Sequence, residues 1–192
     1  MRLTRADQQL LEREAELAQL EATLAGAPEG EGRLIVLEAA AGLGKTRLVE
    51  AAIAQAEERR MIALTARGTE LERDYAFGVV HQLFEPAIMG AGERGREALF
   101  GGAAALARPL FETPDQPRPA PPDPAFATLH GLYWLLANLA SERPLLLALD
   151  DAQWADGASL RFLSFLLPRL AELPLALLVA LRTAEPGSER PE

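Results

Sequence analysis

A strand, a glycine-bearing loop and a helix follow one another near the N-terminus, and this order constrains the fold more than any other feature. The apolar run RLIVLE (33–38) is typical of a buried strand. It leads into AAAGLGKT, and from Thr46 apolar residues fall on one face, which predicts a helix. A phosphate-binding loop has Gly, four residues, then Gly-Lys-Thr or Gly-Lys-Ser. Here Gly44, Lys45 and Thr46 match that pattern, and Ala39 stands in place of its first Gly.

Such a loop binds phosphate because successive backbone N–H groups point at phosphate oxygens, and the helix behind them adds about half a positive charge. Lys45 can reach the β- and γ-phosphates, and the Thr46 hydroxyl can ligate Mg²⁺. Lys45 is the only lysine beside 18 arginines, so a chance placement in this pattern is improbable. We therefore predict a nucleotide site whose loop residues bind the cofactor: Ala41, Gly42, Leu43, Gly44, Lys45, Thr46 and Arg47.

A second acidic site follows another apolar run, PLLLALDD (144–151). Ligands of open α/β sheets collect at the carboxyl ends of strands, so we expect Asp150 to hold a metal ion together with Thr46. Asp151 could orient or deprotonate an attacking water, and Arg182, which closes the run LALLVALR, could meet the charge of a γ-phosphate. Simpler interpretations stay open, because two acids after a strand can cap the next helix and Arg182 can be an ordinary surface arginine.

The remaining patterns predict an α/β domain. Strands alternate with helices, which favours a parallel sheet covered on both faces and a single domain over residues 1–192. A proline-rich loop is predicted over 112–124. The other predicted strands are 61–66 and 175–182, and the predicted helices are 7–25, 46–60, 77–89, 95–110, 125–140 and 157–173, the last with a kink at Pro168.

Composition excludes several classes of protein. A formal net charge of -9 argues against a broad basic face for nucleic acid. The absence of cysteine excludes disulfides and Cys-ligated metals, and two histidines make a His-based metal site improbable. The N-terminus lacks the apolar core of a signal peptide, and no apolar run of about 18 residues predicts a membrane span. We expect a cytoplasmic protein with no membrane partner.

Five blocks of the chain resemble one known family. They cover about residues 10–182 and are similar to the N-terminal ATPase domain of the large ATP-binding LuxR-type transcription regulators of actinobacteria, which are signal-transduction ATPases related to the AAA+ proteins. The blocks are LLEREAELAQLEATL, GLGKTRLVEA, ARGTELERDYAFGVVHQLFEP, FATLHGLYWLLANLA and LLLALDDAQWADGASLRFLSFL.

The resemblance implies a P-loop NTPase fold with an ATP or ADP site and Mg²⁺. It implies that Asp150 is the metal-linked acid, Asp151 the water-activating acid and Arg182 the sensor of the γ-phosphate. Arg13 would lie near the adenine. The family's sheet would place the strand of Arg182 between the phosphate-loop strand and the strand of Asp150.

Two departures from the family qualify these implications. The family normally begins its loop with Gly, but Ala39 adds only one methyl group, and we expect weakened or normal binding. The family's fifth strand, helical lid, repeat region and C-terminal helix-turn-helix are expected to be missing from these 192 residues. The chain itself should therefore not bind DNA.

Three functions are compatible with the sequence. The first is an ATP- or ADP-binding switch module that hydrolyses ATP slowly, because Asp151 reaches about one methylene less far than Glu. The second is a non-catalytic interaction or oligomerisation fragment of such a regulator, with a decayed nucleotide site. The third is a P-loop kinase for a small molecule, which DDAQWAD disfavours because that block matches the regulator family.

Overall fold

The computed structural model describes residues 13–40, 44–112 and 122–183. Within these ranges four strands form one parallel sheet in the order β1-β4-β3-β2. This order confirms the strand arrangement that the family resemblance implied, with the strand of Arg182 between the other two. The strands are β1 (Arg33–Ala39), β2 (Ile62–Arg67), β3 (Leu145–Asp150) and β4 (Leu175–Arg182).

Helices flank the sheet on both faces, and most of them agree with the sequence prediction within two residues. The first predicted helix is confirmed from Glu14 onward, and its predicted residues 7–12 lie outside the described ranges. The helices are α1 (Glu14–Gly26), α2 (Lys45–Glu58), α3 (Gly78–Gly90), α4 (Gly92–Leu99), α5 (Arg108–Phe111), α6 (Pro124–Glu142) and α7 (Gly157–Leu166). Residues 113–121 of the predicted proline-rich loop also lie outside the described ranges.

The single helix predicted over 95–110 is wrong. The structure has α4, a 3-10 segment over Gly102–Leu106, and the short α5 in its place. Gly102 has a φ of +61°, a left-handed conformation that cannot continue a right-handed helix. The pair Gly101-Gly102 therefore ends α4, although the apolar residues on either side keep a helical spacing.

The segment 157–173 also differs from the prediction. The regular helix α7 ends at Leu166, and the chain continues as a 3-10 helix over Leu167–Glu172 instead of kinking within one long helix. Pro168 lacks a backbone N–H and cannot donate the next α-helical hydrogen bond, so a tighter turn replaces it.

Two apolar layers hold the sheet. On one face Leu145, Leu147 and Leu149 of β3 pack with α3, α6 and α7. On the other face Leu146 and Ala148 pack with α1 and α2. Every residue of β3 is buried, as expected for a central parallel strand covered on both faces. Burial of both faces fixes the register, because a shift by one residue would exchange the two layers.

The strand β1 lies at an edge of the described sheet, and apolar side chains on one of its faces are exposed. Ile35 is buried, whereas Leu34 and Val36 are 43% and 52% exposed. These two side chains lie on the face opposite to α1 and α2.

None of the helices in the described part of the chain has the length and hydropathy needed to cross a bilayer.

Candidate functional site

The carboxyl ends of all four strands bring the predicted site residues to one edge of the sheet. In the strand register Ala39 of β1 lies beside Arg182 of β4, and Asp150 of β3 lies beside Arg67 of β2. The loop that leaves β1 therefore opens next to the arginine of β4 and the acids of β3. Open α/β sheets bind their ligands at this edge.

Lys45 begins α2 and is buried, with 7% of its surface exposed. Its Nζ donates to the carbonyl oxygens of Ala39 at 2.6 Å and Ala40 at 3.3 Å. Gly44 precedes it with a φ of +79°, so the chain turns sharply into the helix. This geometry places a buried ammonium at the positive end of a 14-residue helix, where negative charge is stabilised.

Thr46 and Asp150 meet although 104 positions separate them in the sequence. The Thr46 hydroxyl donates to Asp150 Oδ2 at 2.9 Å. Asp150 is 6% exposed, and its other oxygen, Oδ1, accepts from the backbone N–H of Asp151 at 2.9 Å. A hydroxyl and a carboxylate side by side are oxygen ligands of the kind that Mg²⁺ prefers.

The donor set fits a metal ion that is shared with phosphate. Within the described residues no three His, Cys, Asp or Glu side chains converge into a metal cage. Mg²⁺ is commonly held by one or two protein oxygens together with substrate phosphates and waters, so Thr46 and Asp150 suffice for this type of site. They do not suffice for a metal site built from protein ligands alone.

Asp151 is clamped by three side chains. Arg67 donates to its Oδ2 from Nε at 3.1 Å and from Nη2 at 2.8 Å. Its Oδ1 accepts from Gln153 Nε2 at 2.9 Å and from Arg182 Nε at 3.2 Å. Asp151 also has a φ of +51°, a left-handed conformation that an aspartate keeps only when its surroundings hold it.

The clamp keeps Asp151 ionised. Burial opposes ionisation, but hydrogen bonds from Gln153 and Arg67 and the charges of Arg182 and Arg67 outweigh it, and the pKa of Asp151 is lowered. The hydrogen bond to Asp151, followed by the charges of Asp151 and Asp150, raises the pKa of Arg67. Asp151 and Arg67 are therefore both charged at neutral pH.

The turn after β3 requires a glycine on the neighbouring strand. A Cβ atom at Gly68 would lie 2.5 Å from the carbonyl oxygen of Asp151 and 3.0 Å from the backbone nitrogen of Ala155. Only glycine lets the end of β2 pass this close to the turn. Gly68 N also donates to the Asp150 carbonyl at 2.9 Å, which holds the two strand ends together.

A third acid of the same block, Asp156, has a structural role. It is 2% exposed and accepts hydrogen bonds from the backbone N–H groups of Phe77, Val79, Ala158 and Ser159 at 2.8 to 3.2 Å. The same carboxylate therefore caps the N-termini of both α3 and α7. Because backbone N–H groups of two helices occupy both of its oxygens, it is not a candidate for catalysis.

A cavity of about 230 Å³ lies between α1 and β1 and reaches Lys45. Its walls are apolar near Leu20 and Leu37 and polar near Gln19 and Thr23. Arg13 lies at its rim and pairs with Glu16 at 3.3 Å. A planar group attached to a phosphate at Lys45 would find space here.

The structure brings together five of the predicted site residues and separates others. Lys45, Thr46, Asp150, Asp151 and Arg182 lie at one edge of the sheet, with Gly44 directly before Lys45 and Arg13 across the cavity. Arg47 does not join them, since its half-exposed side chain pairs with Glu50 at 3.4 Å on the surface of α2. Ala41, Gly42 and Leu43 lie outside the described residues.

Sequence reasoning missed Arg67 and Gln153. Arg67 follows a predicted strand directly, and the rule that led to Asp150 and Arg182 would have found it too. No sequence pattern pointed to Gln153, because it contacts Asp151 only through the fold of the turn after β3. Its Oε1 also accepts from the backbone N–H of Arg182 at 3.1 Å.

Comparison with known proteins agrees with this geometry. A family model described as an AAA ATPase domain matches residues 9–179. No curated protein matches the chain. The four-stranded parallel sheet flanked by helices is consistent with the P-loop NTPase-like fold of AAA proteins. Since the match spans most of the chain, this protein belongs to the AAA ATPase domain family.

Proposed function

We propose that this protein is an ATP- or ADP-binding switch module that hydrolyses ATP slowly. The observation that carries the proposal is the 2.9 Å hydrogen bond between Thr46 and Asp150, formed beside the buried Lys45 at the start of α2. A hydroxyl, a carboxylate and an ammonium in this arrangement are the groups needed to hold the phosphates of a nucleotide with Mg²⁺. Membership of the AAA ATPase domain family supports nucleotide binding independently.

Each residue has a separate task in this proposal. Lys45 would exchange its bonds to the loop carbonyls for bonds to β- and γ-phosphate oxygens. Thr46 and Asp150 would hold Mg²⁺, which neutralises phosphate charge when bound. Asp151 would orient the attacking water, and Arg182 would contact the γ-phosphate. The cavity beside Arg13 would take the adenine and ribose, and Ala41, Gly42 and Leu43 would contribute backbone N–H groups.

Two features of Asp151 support slow hydrolysis. Its side chain is one methylene shorter than Glu, so it reaches less far toward a water. Its lowered pKa also makes it a weak base, and general-base catalysis is most efficient when the pKa of the base lies near the working pH. Slow hydrolysis prolongs the ATP-bound state, which suits a switch.

The regulatory context follows from the family resemblance. We propose that the chain is one ATPase domain of a LuxR-type bacterial transcription regulator acting in the cytoplasm, and that its nucleotide state controls association with other domains or with further copies. The net charge of -9 supports a module that leaves DNA binding to other parts of such a regulator.

The test is isothermal titration with ATP·Mg²⁺ and with ADP, together with a steady-state ATPase assay. We expect saturable binding of both nucleotides, loss of binding in Lys45→Ala, and weaker Mg²⁺-dependent binding in Asp150→Ala. Turnover should be well below 1 s⁻¹, the low end of the range of about 1–10³ s⁻¹ for typical enzymes. No binding at millimolar concentration, with Lys45→Ala indistinguishable from wild type, would refute the proposal.

One observation favours the second candidate, a non-catalytic interaction fragment. Leu34 and Val36 expose apolar surface on the edge strand β1, and exposed edge strands tend to pair with other chains. The same titration separates the two functions. Self-association by analytical ultracentrifugation without any nucleotide binding would favour the interaction fragment.

A further inference from the structure

The two arginines that hold Asp151 stand on opposite sides of it. Arg182 ends β4, whose neighbour is β1, the strand that leads into the phosphate loop. Arg67 ends β2, which pairs only with β3 in the described sheet and is the strand farthest from β1. An anion bound by the loop would therefore compete with Asp151 for Arg182, but not for Arg67.

The two arginines also bind different oxygens. Arg182 donates one hydrogen bond to Oδ1 at 3.2 Å, an oxygen that it shares with Gln153. Arg67 donates two shorter bonds to Oδ2, at 2.8 and 3.1 Å. Loss of Arg182 from the clamp would leave both bonds from Arg67 in place, so the carboxylate would keep its orientation.

The base of the Arg67 side chain is anchored. Its backbone N–H donates to Gln82 Oε1 at 2.9 Å, and its carbonyl accepts from Gln82 Nε2 at 3.2 Å, so one side chain of α3 holds both groups. The Arg67 side chain is 60% exposed, whereas the Asp151 side chain that it contacts is 8% exposed. The guanidinium therefore extends from the surface toward a buried carboxylate. Because its backbone is held by α3, Arg67 can fix the orientation of the buried Asp151 carboxylate from the surface.

Charge supports the same division of roles. Two guanidinium groups and the Lys45 ammonium lie at this edge of the sheet against two carboxylates, those of Asp150 and Asp151, so one positive charge remains available for a further anion. Because Arg182 pairs with Ala39 at the end of β1, it is the arginine that can be transferred to a phosphate while Arg67 stays.

We propose that Arg67 is a positioning residue for ATP hydrolysis: it keeps the Asp151 carboxylate oriented while Arg182 is free to bind the γ-phosphate. This inference rests on the proposed function and adds a residue to its site. It predicts that Arg67 affects turnover and leaves nucleotide binding unchanged.

The test compares wild type, Arg67→Ala and Arg67→Lys in an ATPase assay and in titrations with ATP·Mg²⁺ and ADP. In Arg67→Ala we expect kcat to fall about 10- to 100-fold, the cost of a misplaced catalytic group, with the dissociation constants changed less than about twofold. Arg67→Lys should restore part of the activity, because lysine keeps the charge but lacks the two-nitrogen geometry. If the alanine variant does not fold, the lysine variant provides the test, and we expect it to show a reduced kcat with unchanged dissociation constants.

Arg59→Ala is the matched control. Arg59 pairs with Glu21 at 3.0 Å, also between two elements, but at the far end of α2, about 20 Å away along the helix. It should leave kcat and binding unchanged. Unchanged or increased kcat in both Arg67 variants would overturn the positioning role alone, and so would loss of nucleotide binding in them. A wild-type protein that binds no nucleotide, or binds it without turnover, would overturn the proposed hydrolysis together with this inference.

Discussion

Gly44 and Ala39 stand at the two ends of the predicted phosphate loop and have different backbone requirements. Gly44 has a φ of +79°, which costs other residues about 1–2 kcal/mol. Ala39 is the last residue of a strand and pairs with Arg182 in the sheet, so its backbone is extended. The first glycine of the loop pattern is therefore not required by the backbone at position 39.

We accordingly predict opposite outcomes at these two positions. Gly44→Ala should lower the free energy of unfolding by about 1 kcal/mol, because alanine is strained at a positive φ. It should also weaken ATP binding, because residue 44 is the N-cap of the helix that begins at Lys45. Ala39→Gly should change the dissociation constant for ATP less than about threefold, and it serves as the control. Thermal unfolding and titration of both variants check this. Equal loss of affinity in the two would contradict it.

At the scale of elements, Asp156 joins α3 and α7 through one carboxylate. Burial opposes its ionisation, but hydrogen bonds from the Ser159 side chain and from the backbones of Ser159, Val79 and Phe77 outweigh burial and lower the pKa of Asp156. We predict that Asp156→Ala costs about 2–4 kcal/mol at neutral pH, since two helix caps are lost and buried N–H groups lose their acceptor.

The pH dependence of that cost follows from the direction of the shift. Because the pKa of folded Asp156 lies below its unfolded value of about 3.9, its stabilisation is present above that pH and is lost as the pH falls through the folded pKa. Urea unfolding of wild type and Asp156→Ala between pH 7 and pH 3 should show the difference shrinking below about pH 4. A constant difference over this range would exclude the charged carboxylate as its source.

The edge strand β1 offers a test of register. Ile35 is 8% exposed and packs with α1 and α2, whereas its neighbour Val36 is 52% exposed. Ile35→Ala should cost about 2–4 kcal/mol in free energy of unfolding, and Val36→Ala less than about 1 kcal/mol. Denaturant titration measures both. Similar costs would contradict this register, because they would mean that both faces of the strand are buried.

At the scale of the whole molecule, nucleotide binding should stabilise the entire sheet, because the site joins the ends of β1, β3 and β4. We predict that ATP·Mg²⁺ at 100 times its dissociation constant adds about 2.7 kcal/mol to the free energy of unfolding and raises Tm. Lys45→Ala should abolish the shift. Removal of Mg²⁺ with EDTA should reduce it in wild type but not in Asp150→Asn. An equal effect of EDTA on both proteins would contradict the role of Asp150 in metal binding.

The sequence by itself determined the class of fold and predicted most residues of the candidate site. The strand, loop and helix around Lys45 and the acids that end β3 depend on local spacing, and local spacing can be read along a chain. The helix break at Gly101-Gly102 was not predicted, because the apolar residues on either side of it kept a helical period. The order of the strands came from family resemblance and not from the residue pattern.

Only the tertiary structure decided which side chains meet. The contact of Thr46 with Asp150, the clamp of Arg67 and Arg182 on Asp151, and the shared cap at Asp156 each join residues that lie 31 or more positions apart, except for the local bonds of Asp156 to its own helix. Strand pairing sets these contacts, and strand pairing depends on the packing of the two apolar layers over the whole sheet. For that reason Arg67, a strand-end arginine in the sequence, acquires a candidate role only in the folded molecule.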